Sequence, residues 1–138
     1  MDGDDQHDIE DVANLIKRAH DTGADIVVGN RMEDTSGMPM MRFATNRFMS
    51  WLLSVLTGQR IPDTQCGFRL IRTEILKGIR LRSSNYDIDS EILLEAARSG
   101  RKIESVPVRT VYNNSRSRIN PFIDTLRFIR LLVYNAIR

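Results

Sequence analysis

The sequence predicts an α/β fold in which a mostly parallel sheet is flanked by helices. Segments with helical periodicity alternate with short apolar segments, in the order helix, strand, helix, strand, helix, strand, helix. Such alternation is typical of sheets whose parallel strands are connected by helices. The length of 138 residues, with 41% hydrophobic and 28% charged residues, fits a single globular domain over residues 1–138.

A first helix is predicted over residues 8–23, followed by a short buried strand over residues 25–29. Asp8 is a favourable N-cap residue with Asp11 three positions on, close to the capping-box pattern, and Gly23 ends the helix. Apolar residues at helical spacing give this helix one apolar face: Val12, Leu15, Ile16 and Ala19.

The middle of the chain predicts a second helix over residues 41–57, after a loop that contains Gly37 and Pro39. Gly58 is its stop signal. "FRLI" follows as a short strand and "TEILKG" as a turn or two of helix. The residues expected to pack from the second helix are Trp51, Leu52, Val55 and Leu56.

The last third predicts a helix, a strand and a helix. "DIDSEILLEAARSG" is a helix that ends at Gly100, and residues 102–112 form a strand in which Pro107 favours an edge or a bulge. Asn120 and Pro121 provide the N-cap and first position of a final helix. One face of that helix is apolar: Phe122, Leu126, Ile129 and Val133.

Composition limits the function classes. The single cysteine, Cys66, makes no internal disulfide, the acidic N-terminus does not predict a signal peptide, and no apolar run reaches the about 18–20 residues of a membrane span. Residues 98–138 hold nine Lys or Arg and two acids, a net charge of nine minus two, or +7. Such a basic segment suits a phosphate-bearing ligand, an anionic membrane or nucleic acid. We expect no nucleic acid, because these arginines are not interleaved with aromatic residues and no nucleic-acid motif occurs.

The opening "MDGDDQHDIEDV" places Asp2, Asp4 and Gln6 at every second position. Oxygen ligands at this spacing suit Mg²⁺ or Mn²⁺, which complete their coordination with waters or substrate phosphates. Acids in the first turn of a helix also complement its dipole, which explains the acids from residue 8 onward but not Asp2 or Asp4.

Four segments in this order resemble glycosyltransferase family 2: "MDGDDQHDIEDV", "ADIVVGNR", "PDTQCGFRLIRTEIL" and "YDIDSEILLEAARSGRKIESVPV". The likeness is closest to the dolichyl- or polyprenyl-phosphate sugar transferases. It implies the GT-A fold, the nucleotide-diphospho-sugar transferase fold, in partial form. Since Met1 alone precedes Asp2, we expect the N-terminal half that binds the base and ribose to be missing, and the chain to be the C-terminal part of a catalytic domain.

The resemblance implies a metal-dependent transferase of cell-envelope glycan synthesis. Asp2, Asp4 and Gln6 would hold Mg²⁺ or Mn²⁺ on the diphosphate of a nucleotide-sugar donor, and the acceptor would be an alcohol or a polyprenyl or dolichyl phosphate. We expect a cytoplasmic protein, peripheral at the inner face of the membrane, with poor activity as an isolated fragment. The alternative is a non-catalytic half-domain that forms homo-oligomers or pairs with the missing half.

Arg31, Asp63 and Gln65 are the predicted phosphate- and sugar-binding residues. Arg31 follows a strand, where parallel sheets present a ligand crevice, and the resemblance places it near a donor or acceptor phosphate; the alternative is a solvated arginine. The resemblance assigns Asp63 and Gln65 to the sugar pocket, although a tight turn at Gly67 explains the same segment.

Three further candidates lie towards the C-terminus. Asp89 is the candidate catalytic base, needed for a hydroxyl acceptor and not for an ionised phosphate; its alternative role is to cap a helix. Arg116 and Arg118 form a candidate phosphate clamp, or a solvated loop. Cys66 is expected to pack in the core rather than act as a nucleophile. The final helix, with Arg127 and Arg130, suits either an anionic bilayer surface or packing on the domain.

Overall fold

A computed structural model of the chain describes residues 9–33, 37–82, 87–109 and 121–137. Eight elements follow one another in these residues: α1 Ile9–Thr22, β1 Ile26–Asn30, α2 Met40–Thr57, β2 Arg69–Ile71, α3 Thr73–Gly78, α4 Asp87–Arg98, β3 Ile103–Pro107 and α5 Pro121–Ile137. The predicted α/β class is confirmed, and every predicted helix and strand has its counterpart here.

β1 is the central strand of the described sheet, whose order is β2-β1-β3. It pairs in parallel with β3, with Ile26 opposite Ile103, and antiparallel with β2, with Ile26 opposite Ile71. The sheet is therefore mixed, whereas the sequence predicted a mostly parallel one. Alternation of helices and strands does not fix strand direction, and residues 58–68 bring the chain into β2 in the opposite sense to β1.

The core lies around β1, whose five residues are all buried, so that both faces of this strand are covered. Helix α1 packs on the sheet, while α2, α4 and α5 pack on one another. In this three-helix layer the side chains of Leu53, Leu93 and Phe128 are completely buried, at 0% exposure. Gly58 ends α2 as predicted, with a left-handed φ of 69° and its N–H donated to the Ser54 carbonyl.

Helix α2 buries a different side from the one predicted. Trp51, Val55 and Leu56 were expected to pack but are 59%, 60% and 51% exposed, and only Leu52 is partly buried against the core. Both sides of this helix carry apolar residues, so periodicity alone does not select the inner one. The side that faces inward contains two polar residues: the buried set is Asn46, Met49, Ser50 and Leu53.

Helix α5 shows the same reversal. Of the face predicted from periodicity, Leu126, Ile129 and Val133 are exposed, and the side chain of Phe122 lies outside the described part of the structure. The helix packs on the domain through other apolar residues: Phe128, Leu131 and Leu132. The prediction that this helix packs on the domain is therefore confirmed. Its outer apolar face is exposed, so the second predicted role, contact with an anionic bilayer surface, stays a prediction.

Gly29 in the central strand allows a close approach of its neighbours. A Cβ atom at this position would lie 3.0 Å from the Phe68 carbonyl oxygen, 3.0 Å from Val108 Cγ2 and 3.1 Å from Cys66 Sγ. We therefore expect Gly29→Ala to destabilise the fold by about 1–3 kcal/mol in urea unfolding, since overpacking forces core groups apart. Gly78→Ala is the control, because a Cβ there meets no atom within 4 Å. Equal stability of the two variants would contradict the packing around Gly29.

Candidate functional site

The candidate site lies where β1 ends and residues 58–68 cross from α2 to β2. Arg31 directly follows β1, and its backbone N–H donates to Asp63 Oδ2 over 2.9 Å. The guanidinium of Arg31 donates from Nε to Oδ2 at 2.8 Å and from Nη2 to Oδ1 at 3.1 Å. This two-pronged geometry is the strongest form of an arginine–carboxylate pair, because both carboxylate oxygens are engaged.

The Arg31–Asp63 pair is buried, with side-chain exposures of 6% and 0%. Burial by itself raises the pKa of Asp63, but the hydrogen bonds and positive charge of Arg31, together with Asn46, outweigh it and hold that pKa below its ordinary value. Asp63 is therefore a carboxylate at neutral pH, and the guanidinium of Arg31 balances its charge.

Helix α2 contributes two polar residues to the same cluster. Asn46 Nδ2 donates to Asp63 Oδ1 over 2.8 Å, and the side-chain oxygen of Asn46, Oδ1, accepts from Ser50 Oγ at 3.0 Å. Ser50 Oγ also accepts the backbone N–H of Thr64 at 2.9 Å. Sequence analysis missed Asn46 and Ser50. The available signal was two polar residues one turn apart among the apolar residues of this helix.

Gln65 lies at the edge of the cluster and is half-buried. Its backbone N–H donates to Asp63 Oδ1 at 3.3 Å. This is the turn that an aspartate side chain commonly forms with the backbone two residues further along the chain. Its side-chain amide lies 3.2 Å from Thr64 Oγ1 and 3.5 Å from Ser90 Oγ at the start of α4. The Gln65 side chain therefore bridges the loop and α4 while part of it faces solvent.

Arg69 fixes the loop to the first turn of α4. Its guanidinium donates to three backbone carbonyls, those of Cys66 at 2.8 Å, Thr64 at 2.6 Å and Asp89 at 2.6 Å. The side chain of Arg69 is 4% exposed, whereas that of Asp89 is 43% exposed and lies 3.9 Å from Arg69 Nη1. The candidate base thus lies in the first turn of α4, which Arg69 joins to the loop, and its carboxylate is partly exposed to solvent.

Cys66 is fully buried in the core, at 0% exposure. Burial, followed by the negative charge of Asp63, raises the pKa of its thiol to about 11. A thiol with this pKa is protonated at neutral pH and is a poor nucleophile. The prediction that Cys66 packs in the core is confirmed.

The structure brings together four of the predicted site residues. Arg31, Asp63 and Gln65 share one hydrogen-bonded cluster, and Asp89 is attached to it through Arg69. The remaining candidates lie outside the described residues: Asp2, Asp4, Gln6, Arg116 and Arg118. Within the described ranges, no three His, Cys, Asp or Glu side chains converge as a metal site would require.

The chain matches the family described as Glycosyl transferase family 2 over residues 1–80. An uncharacterized protein of Methanocaldococcus jannaschii is 30% identical over 99% of this chain and 59% of its own length. The UDP-N-acetylglucosamine–dolichyl-phosphate N-acetylglucosaminyltransferase of Methanococcus voltae is 31% identical over 96% of this chain and 56% of its own length. A dolichyl-phosphate hexose transferase of Haloferax volcanii is 30% identical over 88% and 53%. The chain spans about half the length of these relatives.

The buried ion pair predicts non-additive mutations. Arg31→Met or Asp63→Leu alone leaves one buried charge unpaired, and each should cost about 3–5 kcal/mol in urea unfolding. The double variant should be much more stable than the sum of the single costs implies, because no charge is then stranded. Arg72→Met is the control, since Arg72 is 55% exposed in its ion pair with Asp25. Strict additivity of the two buried changes would contradict the pairing.

The lowered pKa of Asp63 predicts a loss of stability in acid. The folded-state pKa lies below the ordinary value of 3.8, so the contribution of this carboxylate is complete above that pH and is lost as the pH falls through the folded value. We expect the unfolding free energy of the wild type to fall more steeply below about pH 4 than that of the Arg31→Met/Asp63→Leu variant, which lacks this carboxylate. The measurement is urea unfolding across acidic pH. A wild type that loses no more stability in acid than the variant would contradict the lowered pKa of Asp63.

Proposed function

Since this chain belongs to glycosyl transferase family 2, we propose that it serves the transfer of a sugar from a nucleotide-diphosphate donor to a polyprenyl or dolichyl phosphate. The observation that carries the proposal is the match to dolichyl-phosphate sugar transferases of two organisms across 96% and 88% of this chain. The partial GT-A fold agrees with it, because the mixed α/β sheet ends in a polar cluster beside the β1 terminus.

The cluster divides into residues that hold the site and residues that face it. Arg31 and Asp63 direct their polar atoms at each other in a buried pair, and so we propose that they position the loop of residues 63–67 beside the donor and acceptor phosphates. Gln65 and Asp89 keep exposed atoms at its edge. We assign Gln65 to the sugar and Asp89 to the acceptor side.

The proposed reaction is an inverting substitution at the anomeric carbon of the sugar. An oxygen of the acceptor phosphate forms the new bond while the bond to the nucleoside diphosphate breaks. Because this phosphate oxygen is already ionised, the step requires no base. Were a hydroxyl the acceptor, the half-exposed carboxylate of Asp89 would accept its proton.

Two sets of residues outside the described ranges complete the proposal. Asp2, Asp4 and Gln6 offer the oxygen ligands that Mg²⁺ or Mn²⁺ prefers. A bound divalent cation supplies a Lewis acid that neutralises the negative charge on the departing diphosphate. We assign Arg116 and Arg118 to phosphate oxygens, for which paired guanidinium groups are suited.

The lipid chain of a polyprenyl phosphate lies in a bilayer, so an enzyme that uses this acceptor acts at the membrane surface. We propose that the protein is peripheral, at the cytoplasmic face where nucleotide sugars are present. No helix in the described ranges has both the length and the apolar character to cross a bilayer.

A second candidate function is a non-catalytic module that associates with itself or with another half-domain. Exposed apolar residues on α2 and α5 favour association of some kind, since such patches mark interaction surfaces. The two functions differ in donor binding. Calorimetric titration with UDP- and GDP-sugars in the presence of Mn²⁺ gives heat for the transferase and none for the module.

The transferase proposal is tested by sugar transfer to a short polyprenyl phosphate from a panel of UDP- and GDP-sugars. The assay uses this chain alone and a chimera that adds the N-terminal part of the Methanococcus voltae relative. We expect weak transfer by the chain alone, because positioning both substrates supplies about 7–11 kcal/mol of the barrier. The chimera should transfer sugar, and a chelator should abolish it.

Asp4→Ala should lower the rate of the chimera by about 100-fold, as loss of a transition-state electrostatic contact does. Asp21→Ala, which removes an acid that is 57% exposed at the end of α1, should leave the rate unchanged. Robust transfer by the chain alone would contradict the expected need for a longer protein. A chimera that neither binds donor nor transfers sugar would favour the non-catalytic module.

A further inference from the structure

Helix α2 carries an apolar stripe on the side that faces away from the protein. Residues spaced by three and four positions form it, and those with large side chains are 54%, 44%, 59% and 60% exposed: Met41, Phe48, Trp51 and Val55. The rings of Phe48 and Trp51 are 6.4 Å apart between centroids, so the two aromatic residues form one apolar surface at the middle of the stripe.

This stripe lies opposite the polar cluster on the same helix. Asn46 and Ser50 face inward, and Phe48 stands two residues from Asn46, which is about 200° around the helix axis at 3.6 residues per turn. An ordinary surface helix turns a polar face to solvent, whereas the outer side of α2 carries this apolar stripe. The stripe is therefore a candidate contact surface.

The charge on α2 favours an anionic occupant. Its 18 residues, Met40–Thr57, include two arginines and no acidic residue. Arg47 is exposed beside the stripe and contacts the Phe43 ring, with 5.9 Å between Cζ and the ring centroid. The neighbouring helix α5 adds two exposed arginines and three outward apolar residues: Arg127, Arg130, Leu126, Ile129 and Val133.

A second copy of the chain fits this surface less well than a lipid surface does. Pairing α2 with α2 of another copy would bring arginines together with no acidic residue on either helix to offset them. An interfacial helix has the opposite requirements: large apolar and aromatic residues on one side, basic residues beside them and few acids. Tryptophan is also favoured at the boundary between headgroups and acyl chains.

We propose that the outer face of α2, formed by Met41, Phe48, Trp51 and Val55 with Arg47 at its edge, docks the protein on an anionic bilayer. The apolar side chains enter the boundary between headgroups and acyl chains, and the guanidinium of Arg47 stays at the level of the lipid phosphates. The inference deepens the proposed function by assigning its membrane contact to a surface, and it does not require that the chain transfer sugar.

The test uses the chain with vesicles of phosphatidylcholine, with and without phosphatidylglycerol, and no donor or acceptor. Trp51 is the one tryptophan of the sequence, so its emission reports on the proposed surface directly. We expect co-sedimentation with the anionic vesicles, a blue shift of Trp51 emission and quenching by lipids brominated on the acyl chain. The protein should bind much more weakly to the vesicles that contain phosphatidylcholine alone.

Phe48→Glu should lower the vesicle partition coefficient by at least about tenfold, because a carboxylate enters the apolar layer and repels anionic lipid. Ile16→Glu is the matched control: Ile16 is 54% exposed on α1, and its change should have little effect. Arg47→Gln should weaken binding about fivefold while Lys17→Gln on α1 should not. Val55→Glu should lower the partition coefficient in the same way as Phe48→Glu. Circular dichroism and urea unfolding verify that each variant folds.

Three results would overturn the proposal: equal partitioning of Phe48→Glu and Ile16→Glu, vesicle binding without a change in Trp51 emission, or a lipid-free dimer in sedimentation that Phe48→Glu dissociates. The last result would identify a second copy as the occupant. Vesicle binding by the chain without sugar transfer by the chimera would leave this inference standing and count against the proposed function. Sugar transfer by the chimera without vesicle binding by the chain would support the proposed function and overturn this inference.

Discussion

The ion pair between Arg31 and Asp63 is the contact on which the arrangement of the site depends. It joins the end of β1 to the loop that leaves α2, and Asn46 adds α2 itself to the same carboxylate. Three segments distant in the chain therefore meet at one aspartate. Both charges are buried, so loss of either partner leaves a charge without compensation at a cost of about 3–5 kcal/mol.

An apolar pair of similar size would hold these segments together at least as well in energy, because a buried ion pair must offset the desolvation of two charges. What the ion pair adds is direction. Arg31 donates hydrogen bonds to both oxygens of Asp63. The backbone N–H of Gln65 and the side-chain amide of Asn46 donate to the same carboxylate, and each of these bonds has a preferred direction. An apolar contact has no such directional preference. The geometry of residues 63–67 is thus set by hydrogen bonds, which also fix the position of the Gln65 backbone.

Local sequence signals were enough for the elements of this fold and insufficient for its contacts. Helical spacing and the glycine at residue 58 predicted α2, but the choice between its two apolar sides depends on what packs against it, and the outer side was predicted to pack. Arg31 and Asp63 were each predicted as site residues, yet their partnership spans 32 positions and no local pattern encodes it. Asn46 and Ser50 were missed because two polar residues one turn apart on a helix are also the pattern of a side that faces solvent. The hydrogen bonds of the folded chain, and not spacing along the sequence, join these polar residues in one cluster.

Helix α2 connects the polar cluster with the outer apolar face, and this connection has a geometric consequence. Asn46 and Ser50 hold Asp63 and Thr64 from one side of the helix, while Phe48 and Trp51 project from the other. With side chains a helix is about 10–12 Å across, so a bilayer against the outer face would lie roughly one helix diameter from the loop of residues 63–67. Because helix and loop are joined by buried hydrogen bonds, the orientation of the loop relative to the lipid surface would follow from that of the helix. A polyprenyl phosphate has its headgroup at that surface, so a site held at a fixed height above it would receive the proposed acceptor without extracting its lipid chain from the bilayer.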